Sequence, residues 1–121
     1  MAEYRLERVG RLMQEKIGAL IVEGRIKDPR VDSFLTVTRV EVSRDLGYAD
    51  VFVSSYKTAE GLKKGVAGLT SAAGFIQSRL AREMRIRVTP RLRFHEDPGI
   101  RAGFELTRKI EDLTRAEKRS D

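Results

Sequence analysis

The sequence predicts an α+β fold in which helices cover one face of a three-stranded sheet. Three observations carry this. A helical apolar period fills the first two dozen residues, two alternating runs joined by a turn follow, and a third alternating run closes a second helical stretch. The order reads α-β-β-α-kink-α-β with a further C-terminal helix. One sheet with helices on a single face is the simplest way to bury all of these stripes. The 121 residues fit one domain, 1–121, with a frayed charged tail from about residue 114.

The first helix spans residues 3–24, where Leu6, Val9, Met13, Ile17, Leu20 and Ile21 keep the 3.6-residue period and Gly24 is the stop. Gly10 and Gly18 interrupt it without a reason visible in the sequence. Residues 34–43 form a strand whose apolar phase slips: Leu35 and Val37 share one face, Val40 and Val42 the other. Such a slip predicts a β-bulge near Thr38-Arg39. Arg44-Asp45-Leu46-Gly47 is a turn, with Gly47 the natural carrier of any positive φ. In the second strand, 48–56, Ala49, Val51 and Val53 alternate with Tyr48, Asp50, Phe52 and Ser54, and the pair is an antiparallel hairpin.

Thr58 is placed to cap the next helix, whose stripe is Leu62, Val66 and Leu69. Ala72-Ala73-Gly74 then interrupts a pattern that resumes with Phe75, Ile76, Leu80 and Met84. Glycine inside a helix costs about 1 kcal/mol against alanine. This stretch therefore reads as a kink, where small residues let two segments bend and backbones approach. Pro90 ends any helix and Thr89 before it is extended. Residues 91–96 put Leu92 and Phe94 inward and Arg91, Arg93 and His95 outward. A last helix from about residue 100 uses Phe104, Leu106, Ile110 and Leu113.

The net charge is +6, and its placement matters more than its size. Residues 1–60 carry 10 basic and 10 acidic side chains, and residues 96–121 carry 6 and 7. The excess falls in residues 61–95, where Lys63, Lys64, Arg79, Arg82, Arg85, Arg87, Arg91 and Arg93 oppose Glu83 alone. A concentrated basic segment points to an anionic partner, nucleic acid first, against the plainer reading of a solvated helix face. Arg79, Arg82 and Arg85 at spacing three lie along one helix face, and a kink upstream aims them at one surface. Arginine suits phosphate because its fork makes paired hydrogen bonds.

Catalytic chemistry finds no foothold. Cysteine is absent, which excludes thiolate metal sites and thiol nucleophiles and fits a reducing compartment. His95 is the single histidine, so no triad or histidine metal cluster can be built. Glu96-Asp97 and Glu111-Asp112 are sequence neighbours that point apart, poor acid–base pairs. No phosphate-cradling P-loop, dinucleotide fingerprint, signal peptide or membrane-spanning run is present. Gly65-Val66-Ala67-Gly68 has the G-x-x-G form with which KH domains clamp a nucleic-acid backbone. Its apolar inner residues, and the short helix it would leave upstream, favour two tolerated glycines inside an ordinary helix.

Together these residues carry a family resemblance. "RVGRLMQEKIGALI", "IKDPRV", "LTVTRVEVSRDLGYADVFVS", "SAAGFIQSRLAREMRIRVTPRLRF" and "HEDPGIRAGFELTRKIEDL" stand in order from about residue 3 to 115. The chain resembles the ribosome-binding factor A family in that order and spacing. The resemblance implies a type II KH-like domain in which an Ala-x-Gly kink, here Ala72-Ala73-Gly74, replaces the G-x-x-G loop. It also implies a cytoplasmic, monomeric assembly factor with no cofactor, metal or small-molecule substrate. Such a factor binds the free small ribosomal subunit and assists late maturation of its ribosomal RNA, including 5′-end processing, with a tie to growth in the cold. The chain departs at Pro98, where a serine or similar residue is expected, and in its short C-terminal tail. Phosphate contacts position a protein without reading bases, so recognition by shape is expected. With few aromatics (Tyr48, Tyr56, Phe75, Phe94), single-strand stacking is not expected to dominate. The alternative is a sequence-specific KH-type nucleic-acid binder acting away from the ribosome.

Overall fold

The computed structural model describes residues 2–97, and the C-terminal helix expected from about residue 100 lies outside them. In chain order the elements are α1 (Ala2–Val22), β1 (Leu35–Val42), β2 (Tyr48–Ser55), α2 (Ala59–Ser71), α3 (Ala73–Met84) and β3 (Arg91–Glu96). One sheet has the order β1-β2-β3. β1 and β2 are antiparallel, whereas β3 runs parallel to β2. A parallel neighbour needs a crossover, and α2 with α3 supplies it. This is a KH-like α+β fold.

The core lies between the sheet and the three helices. Met13, Ile17, Leu20 and Ile21 of α1 meet Leu62 and Leu69 of α2, Ile76 and Leu80 of α3, and the inward row of Ala49, Val51, Val53, Leu92 and Phe94. Tyr48, Asp50 and Phe52 face away from the helices, but Ser54, expected with them, is buried.

α1 stops at a left-handed Gly24 (φ 66°). Arg25 N–H donates to the Leu20 carbonyl (2.9 Å) and Gly24 N–H to that of Ile21 (3.1 Å), the paired bonds of a Schellman cap. Gly10 now has its reason: a Cβ there would stand 2.8 Å from the Val40 carbonyl oxygen, so α1 rests on the backbone of β1. Gly18 has open space around it, and nothing in the structure explains it. The expected bulge is present, as a register shift between Val37 and Arg39. A bulge leaves ladder carbonyls unpaired. Gln14, one turn after Gly10, donates its side-chain amide to the Val37 carbonyl at 3.1 Å. The shift lets Leu35 and Val37 enter the core while Val40 and Val42 still pack against it.

In the hairpin turn the positive φ falls on Leu46 (59°), not on Gly47. Gly47 serves differently: the Asp45 carboxylate accepts its N–H at 2.9 Å and occupies the space a side chain would need. Bonds from Ser43 and Gly47 hold the Asp45 carboxyl below the usual carboxylate range.

Thr58 caps α2 by accepting Gly61 N–H at 2.9 Å. The helix breaks at one residue, Ala72 (φ −90°, ψ 4°). Its N–H is shared between the Gly68 (3.0 Å) and Leu69 (3.1 Å) carbonyls, which closes α2, while its own carbonyl accepts Ile76 N–H (3.0 Å) and opens α3. Ala73 and Gly74 are already helical. Two sequence expectations need correction here. Phe75, assigned to the buried stripe, is 45% exposed. The second helix does not run on toward Pro90 but stops at Met84, because Arg85 turns left-handed (φ 52°, ψ 35°) so that the chain can swing into β3.

Candidate nucleic-acid interface

The eight basic residues of the rich segment divide into two sets. Lys63, Arg82, Arg85, Arg87 and Arg91 are exposed and make no side-chain ion pair or hydrogen bond among the described residues. The other three are engaged. Lys64 pairs with Glu60 one turn back (3.4 Å). Arg79 reaches Glu83 one turn on in α3 (3.7 Å), and Glu83 also meets Lys16 of α1 (3.7 Å), so Glu83 joins α1 to α3 and engages Arg79. Arg93 grips Asp50 with two hydrogen bonds (2.9 and 3.1 Å).

The arginine row is not a single helix face. Arg82 lies in the last turn of α3, Arg85 and Arg87 lie in the connection beyond it, and Arg91 opens β3. This arginine end continues onto α1. Arg8, Val9, Arg11, Leu12 and Glu15 line a groove of about 460 Å³ with Met84 and Ile86. Arg93 sits instead on the sheet face turned away from the helices, its guanidinium 4.4 Å from the Tyr48 ring centre. There His95 Nε2 lies 2.7 Å from Asp50 and its ring stacks on Phe52 (5.2 Å), whose other contact is Arg39 (4.2 Å). Partial burial raises the Asp50 carboxyl, but the bonds from His95 and Arg93 outweigh it and hold it below the usual range. His95 is thus a locally bonded surface residue.

At the opposite end of α3 the break opens a cleft of about 330 Å³, lined by Arg25, Lys27, Asp28, Ser71, Ala72 and Phe75. Three of these come from the loop after α1. Arg30 fastens that loop to the break: it binds Asp28 through Nε (3.0 Å) and Nη2 (2.8 Å) and donates to Ser71 Oγ (3.1 Å). The Arg30 side chain holds the Asp28 carboxyl down at about 2. Asp28 is spoken for, so Lys27, with no ion-pair partner among the described residues, leaves the cleft rim positive. No side chain caps the start of α3, and its first N–H groups are left to solvent or a ligand.

Sequence reasoning missed this cleft. Charge counting found residues 1–60 balanced and passed over Arg25 and Lys27. Periodicity sent Phe75 inward. The usable signal was Asp28-Pro29-Arg30, a charged pair in a loop with nothing local to explain it. The G-x-x-G stretch lies wholly inside α2. A Cβ on Gly65 would sit 2.5 Å from Leu35 Cδ1, and one on Gly68 2.9 Å from Val31 Cγ2, so both glycines serve packing. Among the described residues there is no group of acidic, histidine or cysteine side chains suited to a metal, and no helix long and apolar enough to cross a membrane.

A model of the family described as ribosome-binding factor A matches residues 5–110. The ribosome-binding factor A of Treponema denticola is 47% identical over 113 residues, 93% of this chain and 86% of that protein. The crystal structure of ribosome-binding factor A from Thermus thermophilus matches with a TM-score of 0.63 at 27% identity, over 75% of this chain and 94% of that one. A homology model of the Thermus thermophilus factor, fitted into the cryo-EM map of a 30S complex with it, matches with a TM-score of 0.53 at 27% identity, over 72% and 93%.

Proposed function

Since the chain belongs to the ribosome-binding factor A family, we propose that it is an assembly factor for the small ribosomal subunit and meets ribosomal RNA through the arginine end of α3. In this reading it binds the free subunit as a monomer in the cytoplasm and assists late maturation and 5′-end processing of the RNA, a task that weighs most in the cold. It acts by binding, without catalysis and without a cofactor. One observation carries the reading: Arg82, Arg85, Arg87 and Arg91 stand exposed within ten residues of sequence, with no acidic partner among the described residues. Unpaired, clustered guanidiniums suit phosphate. The fitted complex of the Thermus thermophilus factor supports a 30S partner. The burial of Gly65 and Gly68 counts against a KH-type binder that uses its G-x-x-G as the gripping loop.

The test is sedimentation of the tagged protein through lysate gradients at low and moderate salt, beside the Arg82→Glu/Arg85→Glu variant. The wild type is expected to travel with free small subunits, and the variant to stay at the top while keeping a normal melting curve. A basic patch alone would smear over every RNA fraction and weaken with salt. Unchanged sedimentation of the folded variant would move the RNA surface elsewhere.

A further inference from the structure

We propose that the groove between α1 and the end of α3 receives an amphipathic helix of a partner protein, with carboxylates flanking its apolar stripe. Val9, Leu12, Met84 and Ile86 take the stripe, and Arg11 takes a carboxylate. This goes beyond the RNA reading, because it assigns a protein partner to a surface of its own.

The groove exists because α1 outlasts α3. Lys16 of α1 meets Glu83 in the last turn of α3 (3.7 Å). α3 then ends at Met84, where a left-handed Arg85 swings the chain toward β3. α1 runs on past that end, so that Arg8, Arg11, Leu12 and Glu15 lie beside Met84 and Ile86. The place where α3 would have added another turn is open, with a volume of about 460 Å³. Ligand pockets span about 300–1,000 Å³. Its floor is apolar. Val9 and Leu12 stand three residues apart and so share one helix face. Val9 and Met84 pack on the edge of the core, while Leu12 is left 38% exposed. Covering this floor would recover burial that the chain by itself leaves unmade. Methionine adapts its shape to an incoming side chain. A helix laid along α1 here would take up the packing that α3 abandons, with anchors at the i, i+3 and i+7 spacing of helix-in-groove recognition.

The charges around the floor select the occupant. Arg11 and Glu15 stand one turn apart on α1 in the weaker order for a helical pair, and no ion pair joins them. Arg11 is therefore available, and Arg8 adds a second cation to the same bank. On the other bank Arg85 and Arg87, on either side of Ile86, are exposed. Glu15 marks one end of the groove with the opposite sign, so the partner's carboxylates belong toward Arg8 and Arg11. The chain's own residues 98–121 fit poorly, since they carry 6 basic and 5 acidic side chains. Their starting point is also remote: β3 begins beside Tyr48, near the groove end of the sheet, and reaches Val53 at the other end. A second copy would bring a net charge of +6 toward a cationic rim. RNA would find the arginines but no ring, because no aromatic residue is among those described as lining the groove.

The experiment is fluorescence anisotropy with the full chain and three labelled probes, accompanied by amide chemical-shift mapping. One probe is a stapled helix with leucines at i, i+3 and i+7 flanked by glutamates. The second is the same helix with lysines for the glutamates, and the third is an RNA hairpin. The acidic helix is expected to bind and to shift the amides of Arg11, Leu12 and Ile86, and the lysine helix to fail. Leu12→Ala is expected to weaken the acidic helix about tenfold and leave the hairpin unchanged, whereas Leu12→Met retains both. Arg11→Gln is expected to flatten the salt dependence of the acidic helix. Equal binding of the two helices, shifts that fall outside the groove, or no binding of the acidic helix would overturn the proposal. So would an acidic helix indifferent to Leu12→Ala. Loss of hairpin affinity in Leu12→Ala would give the groove to RNA and overturn the protein partner. A hairpin that fails to bind the wild type, beside an acidic helix that does bind, would overturn the RNA reading alone.

Discussion

The glycines on either side of the helix break differ in what surrounds them. A methyl group at Gly65 would press within 2.5 Å of Leu35, and one at Gly68 within 3.2 Å of Val31, Arg30 and Asp28. A methyl group at Gly74 would meet nothing within 4 Å. α2 is therefore seated on its neighbours through the absence of side chains, whereas the first turn of α3 uses that absence to stay accessible. Glycine spacing by itself does not distinguish the two. The G-x-x-G pattern marks the packed helix, and the turn that redirects the chain belongs to an alanine.

The largest expected effect is on the packed side. Gly65→Ala forces the buried Leu35 side chain to move, and overpacking of this kind costs about 1–3 kcal/mol, read from urea unfolding. A cost near zero would mean that α2 is not seated as described. Gln14→Ala comes next, since it strips the donor from a bulge carbonyl and should cost about 1 kcal/mol in the same assay. Gly74→Ala should have the opposite sign, stabilising by up to about 1 kcal/mol through helix propensity alone. If it destabilised as Gly65→Ala does, the contrast between the two sides would be gone.

The smallest effect concerns the clasp that holds the loop to the break. Asp28 titrates at about 2 in the folded chain against an ordinary 3.8, so its share of stability is present above the ordinary value and lost as pH falls toward 2. Asp28→Asn should therefore flatten the stability profile between those two pH values and change little near neutrality beyond the loss of the Arg30 contact. A variant with the wild-type acid profile would show that the clasp does not hold in solution.

Much of the fold was legible because local signals agreed with the global one. Leu35, Val37, Val40 and Val42 announced a bulge by their phase, and Thr58 announced a cap by its place before an apolar period. The failures share a cause. Helical periodicity reports which residues are apolar, not which of them find a partner, so Phe75 was counted with Ile76 and Leu80. Gly10 was unexplained because its reason, the Val40 carbonyl, is distant in sequence. Charge counting found the arginine-rich segment but could not see that Glu60, Glu83 and Asp50 engage three of its members. The cleft was hidden because half of it belongs to a loop that carries no pattern of its own.

The parallel pairing of β2 with β3 also sets an order of events for the folding chain. β1 and β2 meet across a short turn, from Val42↔Ala49 outward, and need nothing downstream. Tyr48 meets Arg91 only after α2, the break and α3 have been laid down. Distant pairings close late because their loop entropy is paid before their contacts form. For that interval the far edge of β2 is an open template carrying Val51 and Val53, able to pair with another unfinished chain. Leu92→Ala should accordingly speed unfolding far more than it slows folding, while Val37→Ala should do the reverse. The crossover that carries the break and the arginine end is thus also the step at which a growing chain is most exposed to its copies.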